Sequence, residues 1–409
     1  MLKLIRVSTV PVSLNVLLKG QFKFLSKYYK VTAISGSGKD LNEVQNREGV
    51  AVYPIEMERD ISLLKDFRSL FKLFLFLKKE KPDIIHSITP KAGLISMFAG
   101  RMAGVPIRMH TFTGLVFPSK RGLLRKVLIV TDKLLAFAAT HIYPEGEGVK
   151  RDLIEYKITS KPLKVLANGN INGIETSYYD SSIYSQKQKI DLRTSLNILP
   201  DDFVFIFVGR LVKDKGINEL VSSFKKLVEL NLQLKNCDSN TVVQNSKLIL
   251  VGSQEQDFDP LLPETLKEIS QNPHIVSVGW QDDVRPYMAI ADALVFPSYR
   301  EGFPNVVMQA GAMGLPSIVT DINGCNEIII ERKNGVIIPP KDKDILYKTM
   351  KWFIENPQEV IDMAERSRDM ICSRYEQQIV WDALLNEYKR VEKNYVNTLL
   401  SGYKSKRVN

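Results

Sequence analysis

Short apolar runs alternate along the chain with segments whose apolar residues recur every three or four positions, and the alternation occurs twice. In the first series the pattern predicts strands at 4–10, 30–34, 50–55, 84–87, 107–111 and 141–143, with mostly helical segments between them, including one over 67–79. The stretch LKVLANGNINGIETSYYD, 163–180, is rich in Asn and Gly and ends that series. A helix is predicted over about 185–197, followed by strands at 203–208, 247–251, 274–278, 293–297 and 317–320. Residues 231–246 are expected to form a loop, and 376–396 a closing helix.

Strands separated by helices argue for parallel, doubly wound sheets. The expectation is therefore α/β, with two Rossmann-like domains facing each other across a crevice. The first covers 1–175 and the second 176–375; residues 376–409 supply a helix returning to the first domain and a basic tail. In such an arrangement the carboxyl ends of both sets of strands can face a ligand.

Composition narrows the class. The 409 residues are 44% hydrophobic and 25% charged, the balance of a globular chain large enough for two domains. No apolar run reaches the roughly 18 residues needed to span a bilayer. Residues 1–7 are too short and interrupted for a signal-peptide core. Cys237, Cys325 and Cys372 show no ligand or disulfide spacing. These features predict a cytosolic protein. Charge is uneven: residues 1–180 hold 28 Lys+Arg and 16 Asp+Glu of the chain's 56 and 46, a balance of +12, and the remainder stands at −2. A basic first half fits an anionic partner, either nucleic acid or a membrane surface, and fits ordinary solubility charge as well.

Three stretches carry candidate chemistry. In FVFIFVGRLVKDKG, 203–216, an apolar strand ends at Gly209, and Arg210 and Lys215 follow on the loop to the next helix. Gly209 permits close backbone approach, Arg210 can grip phosphate oxygens in a fork, and Lys215 adds a point charge near a helix N-terminus. The set suits a diphosphate; the same residues also suit a solvated turn. In ALVFPSYREGFPN, 293–305, the strand ends before Glu301-Gly302-Phe303-Pro304 and a helix from about Asn305. Pro304 fits the first helical position. The N–H groups of Gly302, Phe303 and Asn305 are candidates for an anion or sugar oxygens, and Glu301 for vicinal hydroxyls. A surface carboxylate near a helix start is the plainer alternative. In IRMHTFTGLVFP, 107–118, His110 ends a strand and is expected to point into the crevice, although a lone histidine is more often structural. Lys91, in HSITPKAG, precedes a helix start that either binds an anion or is merely capped.

Together GRLVKDKG at 209–216, VGSQ at 251–254, VGWQDDVRPYMAIADALVFPSYREGFPN at 278–305 and GLPSIVTDINGCNEII at 314–329 resemble the retaining glycosyltransferases of family 4, which have the GT-B fold. KPDIIHSITPKAG and IRMHTFTGLVF match more loosely, in the manner of the capsule and lipid-linked oligosaccharide branch. The resemblance implies that Arg210 and Lys215 hold a donor diphosphate, and that Glu301 binds hydroxyls of the transferred sugar. Gly209, Gly302, Phe303, Pro304 and Asn305 would lie close to phosphate and sugar, and His110 would approach from the opposite domain. It implies no metal and no cofactor beyond a nucleoside-diphosphate sugar, UDP-linked, as donor. One position departs. The family carries a second Glu eight residues after the first, binding the ribose, and Gln309 stands there. An amide keeps an acceptor oxygen and gains a donor, but loses a charge-assisted bond worth about 1 kcal/mol.

The resemblance also suggests a polyprenyl-pyrophosphate-linked saccharide as acceptor. FPSKRGLLRKVLIVTDKLLAFAA, 117–139, carries Lys120, Arg121, Arg125, Lys126 and Lys133 among apolar residues. It reads either as an amphipathic helix resting on the inner face of a bacterial plasma membrane or as a core helix with a basic face. Nucleic acid is set aside because the basic clusters lack interleaved aromatics. Two alternatives remain within the fold: an inactive nucleotide-sugar-binding subunit, and a sugar-nucleotide epimerase.

Overall fold

The computed structural model describes residues 1–58, 62–237, 244–255 and 259–405. The chain divides into two compact units, Met1–Gly173 with Gln377–Asn409, and Ile174–Glu376.

The first unit is built on six parallel strands, β1 (Lys3–Val7), β2 (Lys30–Ser35), β3 (Ala51–Pro54), β4 (Ile84–Ser87), β5 (Ile107–Phe112) and β6 (His141–Pro144), in the order β3-β2-β1-β4-β5-β6. Ile84, Ile85, Leu4, Val7 and Met109 are sealed because helices cover both faces, so these strands read as continuous apolar runs. The first strand stops at Val7, three residues short of expectation, because a helix begins at Pro11. The expected 67–79 helix runs Leu63–Glu80. The closing helix, Gln377–Ser405, packs in this unit: Leu384, Leu385, Tyr388 and Val391 join the core formed by Leu4, Leu14, Phe22 and Ile84. Its Tyr388 hydroxyl accepts from Arg6 Nη1 at 2.8 Å and bonds His86 Nδ1 at 2.7 Å.

The second unit repeats the plan with β7 (Phe203–Val208), β8 (Ser246–Val251), β9 (Ile275–Gly279), β10 (Ala293–Phe296), β11 (Ser317–Thr320) and β12 (Gly335–Ile338), ordered β12-β11-β10-β7-β8-β9. β12 is a strand that pattern alone does not predict. Its four residues, Gly-Val-Ile-Ile, sit between Asn334 and Pro339-Pro340. It exists because β11 offers an edge, with Ser317 opposite Gly335 and Thr320 opposite Ile338. The loop expected from 231 begins later, since the preceding helix runs Ile217–Cys237; residues 238–243 lie outside the described residues. No helix among the described residues is long and apolar enough to cross a membrane.

Candidate active site

In the second sheet β7 lies between β10 and β8, and the chain winds outward from it in both directions. Strand order therefore reverses between β7 and β10, and the carboxyl ends of strands at such a switch point are where open α/β sheets bind ligands. The loop after β7 carries Gly209, Arg210 and Lys215, and the loop after β10 carries Ser298 to Pro304.

The two loops are sewn together. The Tyr299 N–H donates to the Asp214 carbonyl at 2.9 Å, and Arg300 Nη2 reaches Asp214 Oδ2 at 3.3 Å. Lys215 closes a short 3₁₀ turn, Lys213–Lys215, and Gly216 then takes a left-handed φ of 72° to start the Ile217 helix. A Cβ at Gly216 would stand 2.1 Å from the Pro297 carbonyl oxygen, so only glycine lets the two loops approach this closely. The result is an ion pair: Lys215 Nζ donates to Glu301 Oε1, which also accepts from Ser298 Oγ at 2.7 Å. Both side chains are 16% exposed, screened from bulk water yet reachable. The ammonium also lies 5.7 Å from the centre of the Phe296 ring. Cys325 is buried beside the pair; burial and the Glu301 charge push its thiol well up, partly offset by Lys215.

Arg210 is turned elsewhere. Its Nη1 bonds Glu255 Oε2 at 2.8 Å, in a half-exposed pair. The Gly209 N–H is used by the Val251 carbonyl at 2.9 Å, so Gly209 shapes the loop without offering that donor.

The turn after Glu301 is held from behind. Gly324, at φ 76°, lies so close that a Cβ there would meet the Gly302 carbonyl oxygen at 2.5 Å and Phe303 Cα at 2.7 Å. The Phe303 side chain is buried and meets Tyr375 edge-on at 5.5 Å, so this residue anchors the turn, leaving its backbone as its polar face. Pro304 stands one place earlier than expected: it is the N-cap, with ψ 111°, and the helix is Asn305–Ala312. Proline therefore ends the extended turn here and does not begin the helix. Asn305 and Gln309 lie on the part-exposed side of that helix, while Val307 and Met308 face the core. Gln309 Nε2 donates to the Tyr179 hydroxyl at 2.8 Å. Burial pushes that phenol up to about 12, with Tyr178 adding to the shift.

In the first unit, His110 departs from expectation. It lies within β5 and is 0% exposed, with its ring in the space left by Gly93, where a Cβ would come within 2.5 Å. Nδ1 bonds Ser87 Oγ at 2.8 Å, the ring stands edge-on to Phe112 at 4.6 Å, and burial alone lowers its pKa to about 3. It is a neutral interior imidazole, not a group projecting from a strand end. Lys91 is the second residue of the Pro90–Ala103 helix and pairs with Asp66 at 2.8 Å. Thr89, before that helix, does not cap it; its hydroxyl takes the Thr9 N–H at 2.9 Å, tying the ends of β1 and β4.

Pattern reading missed Ser298, Glu255, Gly324 and Tyr179. Ser298 lies within the 293–305 stretch without standing out in it, and nothing in the local pattern places Tyr179 beside Gln309, 130 residues away.

Comparison with known proteins is consistent along nearly the whole chain. Residues 28–169 match the Glycosyl transferase 4-like domain, and residues 188–370 match Glycosyl transferases group 1. The chain is 31% identical over 388 residues to the capsular polysaccharide biosynthesis glycosyltransferase CapM of Staphylococcus aureus, covering 94% of this chain and 96% of that one. It is 29% identical over 287 residues, 70% of each chain, to the Escherichia coli UDP-Gal:alpha-D-GlcNAc-diphosphoundecaprenol alpha-1,3-galactosyltransferase. Among solved structures, Anabaena Alr3699/HepE in complex with UDP and glucose shares the fold, with a TM-score of 0.77 at 16% identity, covering 95% of this chain and 100% of that one.

Proposed function

The chain belongs to the family 4 glycosyltransferases of GT-B fold, and from that premise we propose that it moves a hexosyl or N-acetylhexosaminyl unit from a UDP-sugar to a lipid-linked saccharide, with retention and without a metal. The observation that carries this reading is the Lys215–Glu301–Ser298 constellation at the switch point of the second sheet.

Glu301, fixed by Ser298, accepts hydrogen bonds from hydroxyls of the transferred sugar. Lys215 and Arg210 hold the diphosphate. As the bond from the anomeric carbon to the β-phosphate oxygen breaks, its electron pair passes to that oxygen, and the two cations stabilise the growing charge. The acceptor hydroxyl oxygen bonds the anomeric carbon from the same face, and its proton passes to the departing phosphate oxygen. The products are a nucleoside diphosphate and the extended glycoside. Arg210 must leave Glu255 to serve this role; the pair is half exposed, so parting it costs little. Gly302, Phe303, Pro304 and Asn305 line the phosphate and sugar with backbone, and Gln309 meets the ribose. His110 supports the ends of β4 and β5 from the interior.

The acceptor class follows the Escherichia coli relative, whose named acceptor carries a diphosphoundecaprenol. Two helices of the first unit support contact with an anionic membrane at its cytoplasmic face. Gly122–Ala138 exposes Leu123, Val127, Val130, Leu134 and Phe137, and Leu63–Glu80 exposes Leu63, Phe67, Phe71 and Leu75. Each set is a stripe at helical spacing flanked by Lys and Arg, as interfacial helices are.

The deciding experiment is metal-free incubation of the purified chain with UDP-sugars and a polyprenyl-pyrophosphate saccharide, following UDP release and the anomeric configuration of the product. Transfer with retention that is lost in Glu301→Ala supports the reading. Nucleotide binding without any transfer or donor hydrolysis would instead identify an inactive binding subunit.

A further inference from the structure

Gln309 and Tyr179 leave two complementary polar groups side by side. The Gln309 amide nitrogen is engaged by the Tyr179 hydroxyl at 2.8 Å, which turns Oε1 away as an acceptor. The Tyr179 hydroxyl accepts from Gln309, and among the described residues no side chain or carbonyl takes its proton. A phenol needed only for packing would serve as well without its oxygen, and a largely buried tyrosine hydroxyl ordinarily finds a partner. The backbone behind it is rigidly held. Arg368 Nη1 donates to the Tyr179 carbonyl at 2.7 Å, and its Nη2 donates to Asp180 Oδ2 at 2.8 Å and to the Thr176 carbonyl at 3.1 Å. Tyr178 next to it is stacked by Arg285, with the guanidinium 3.4 Å from the ring centre.

An acceptor oxygen beside a hydroxyl donor matches a vicinal diol, in which one hydroxyl donates and the other accepts. We infer that Tyr179 and Gln309 together bind the two ribose hydroxyls of the donor nucleotide, Gln309 accepting from one through Oε1 and Tyr179 donating to the other. This rests on the reading of the site as a nucleotide-sugar site and extends it to a residue that none of the three stretches with candidate chemistry contains. It also gives Gln309 a reason: a carboxylate would take the Tyr179 proton for itself, whereas the amide donates to the phenol and leaves that proton for the ligand.

The test measures binding of UDP, 2′-deoxy-UDP and 3′-deoxy-UDP to the full chain by calorimetry, for wild type, Tyr179→Phe and Gln309→Ala. Wild type is expected to bind UDP roughly five- to tenfold more tightly than either deoxynucleotide, the ordinary contribution of one hydrogen bond. Tyr179→Phe should weaken UDP by a similar factor while leaving one deoxynucleotide unchanged, and Gln309→Ala should do the same for the other. A Tyr179→Phe chain that weakens all three ligands equally, or none, overturns the assignment of Tyr179. Equal binding of all three by wild type overturns it without any variant. If wild type binds no UDP, or Gln309→Ala leaves UDP affinity unchanged, the donor-site reading of this helix fails first.

Discussion

Lys215 and Glu301, 86 residues apart in the chain, form an ion pair at the place where the second sheet changes its winding direction, and the Ser298 hydroxyl shares the same carboxylate oxygen. Neither charge is deeply buried, but each is screened enough that removing its partner leaves a poorly solvated ion.

Substitutions at this pair should therefore separate stability from activity. Lys215→Met leaves Glu301 uncompensated and is expected to lower the melting temperature as well as turnover. Lys215→Met with Glu301→Gln should recover much of the stability and none of the turnover. Thermal unfolding and transfer rates on the three variants check this, and additive loss in the double variant would show the two residues to be uncoupled.

On the role proposed for Arg210, its contact with Glu255 competes with the donor for the same cation. Glu255→Gln is expected to lower the donor KM by about two- to fivefold at low salt, the scale of an exposed ion pair, with the gain shrinking as salt rises. Arg210→Ala should raise the donor KM and lower kcat together. Steady-state kinetics at two ionic strengths distinguishes these effects.

Gly324→Ala would drive a methyl group into the Gly302 carbonyl and the Phe303 backbone while forcing a left-handed φ on a residue with a Cβ. The expected cost is about 1–3 kcal/mol of stability. Because the strained turn presents Glu301, donor affinity should fall further than stability alone explains. Calorimetric unfolding alongside UDP titration measures both, and an intact donor affinity would detach this turn from the site.

Asp132 lies on the inner side of the Gly122–Ala138 helix, and burial raises its carboxyl to about 7. The folded state holds this proton more tightly than the unfolded chain, whose carboxyl titrates near 4. Its contribution to stability is thus full below about pH 4 and is lost as pH climbs through about 7. Asp132→Asn should flatten that part of the pH–stability curve and raise the melting temperature at pH 8. A curve unchanged by the substitution would show that the carboxyl is solvated.

The exposed stripe on Leu63–Glu80 gives a further expectation. Phe67→Ser with Phe71→Ser should leave the melting temperature nearly unchanged, since both rings are at least half exposed, and should weaken sedimentation with anionic vesicles. Neutral vesicles serve as the control. Undiminished vesicle binding would exclude this helix from the contact.

Apolar periodicity in the sequence by itself determined the alternation of strand and helix and the two parallel sheets, because buried parallel strands must be apolar along their whole length. Phe203–Phe207 and Ile84–Ile85 announce themselves in this way. Motif chemistry also named Lys215 and Glu301 as candidates, since cations and carboxylates at strand ends are visible locally. What periodicity reports is that a face is buried, not what covers it. Only strand order brings Lys215 onto Glu301, only the edge of β11 makes a strand of Gly335–Ile338, and only the Arg368 clamp sets Tyr179 against Gln309. His110 shows the converse: one position along β5 decides whether an imidazole meets ligand or core, and the pairing of that strand beneath the Gly93 helix decided for the core.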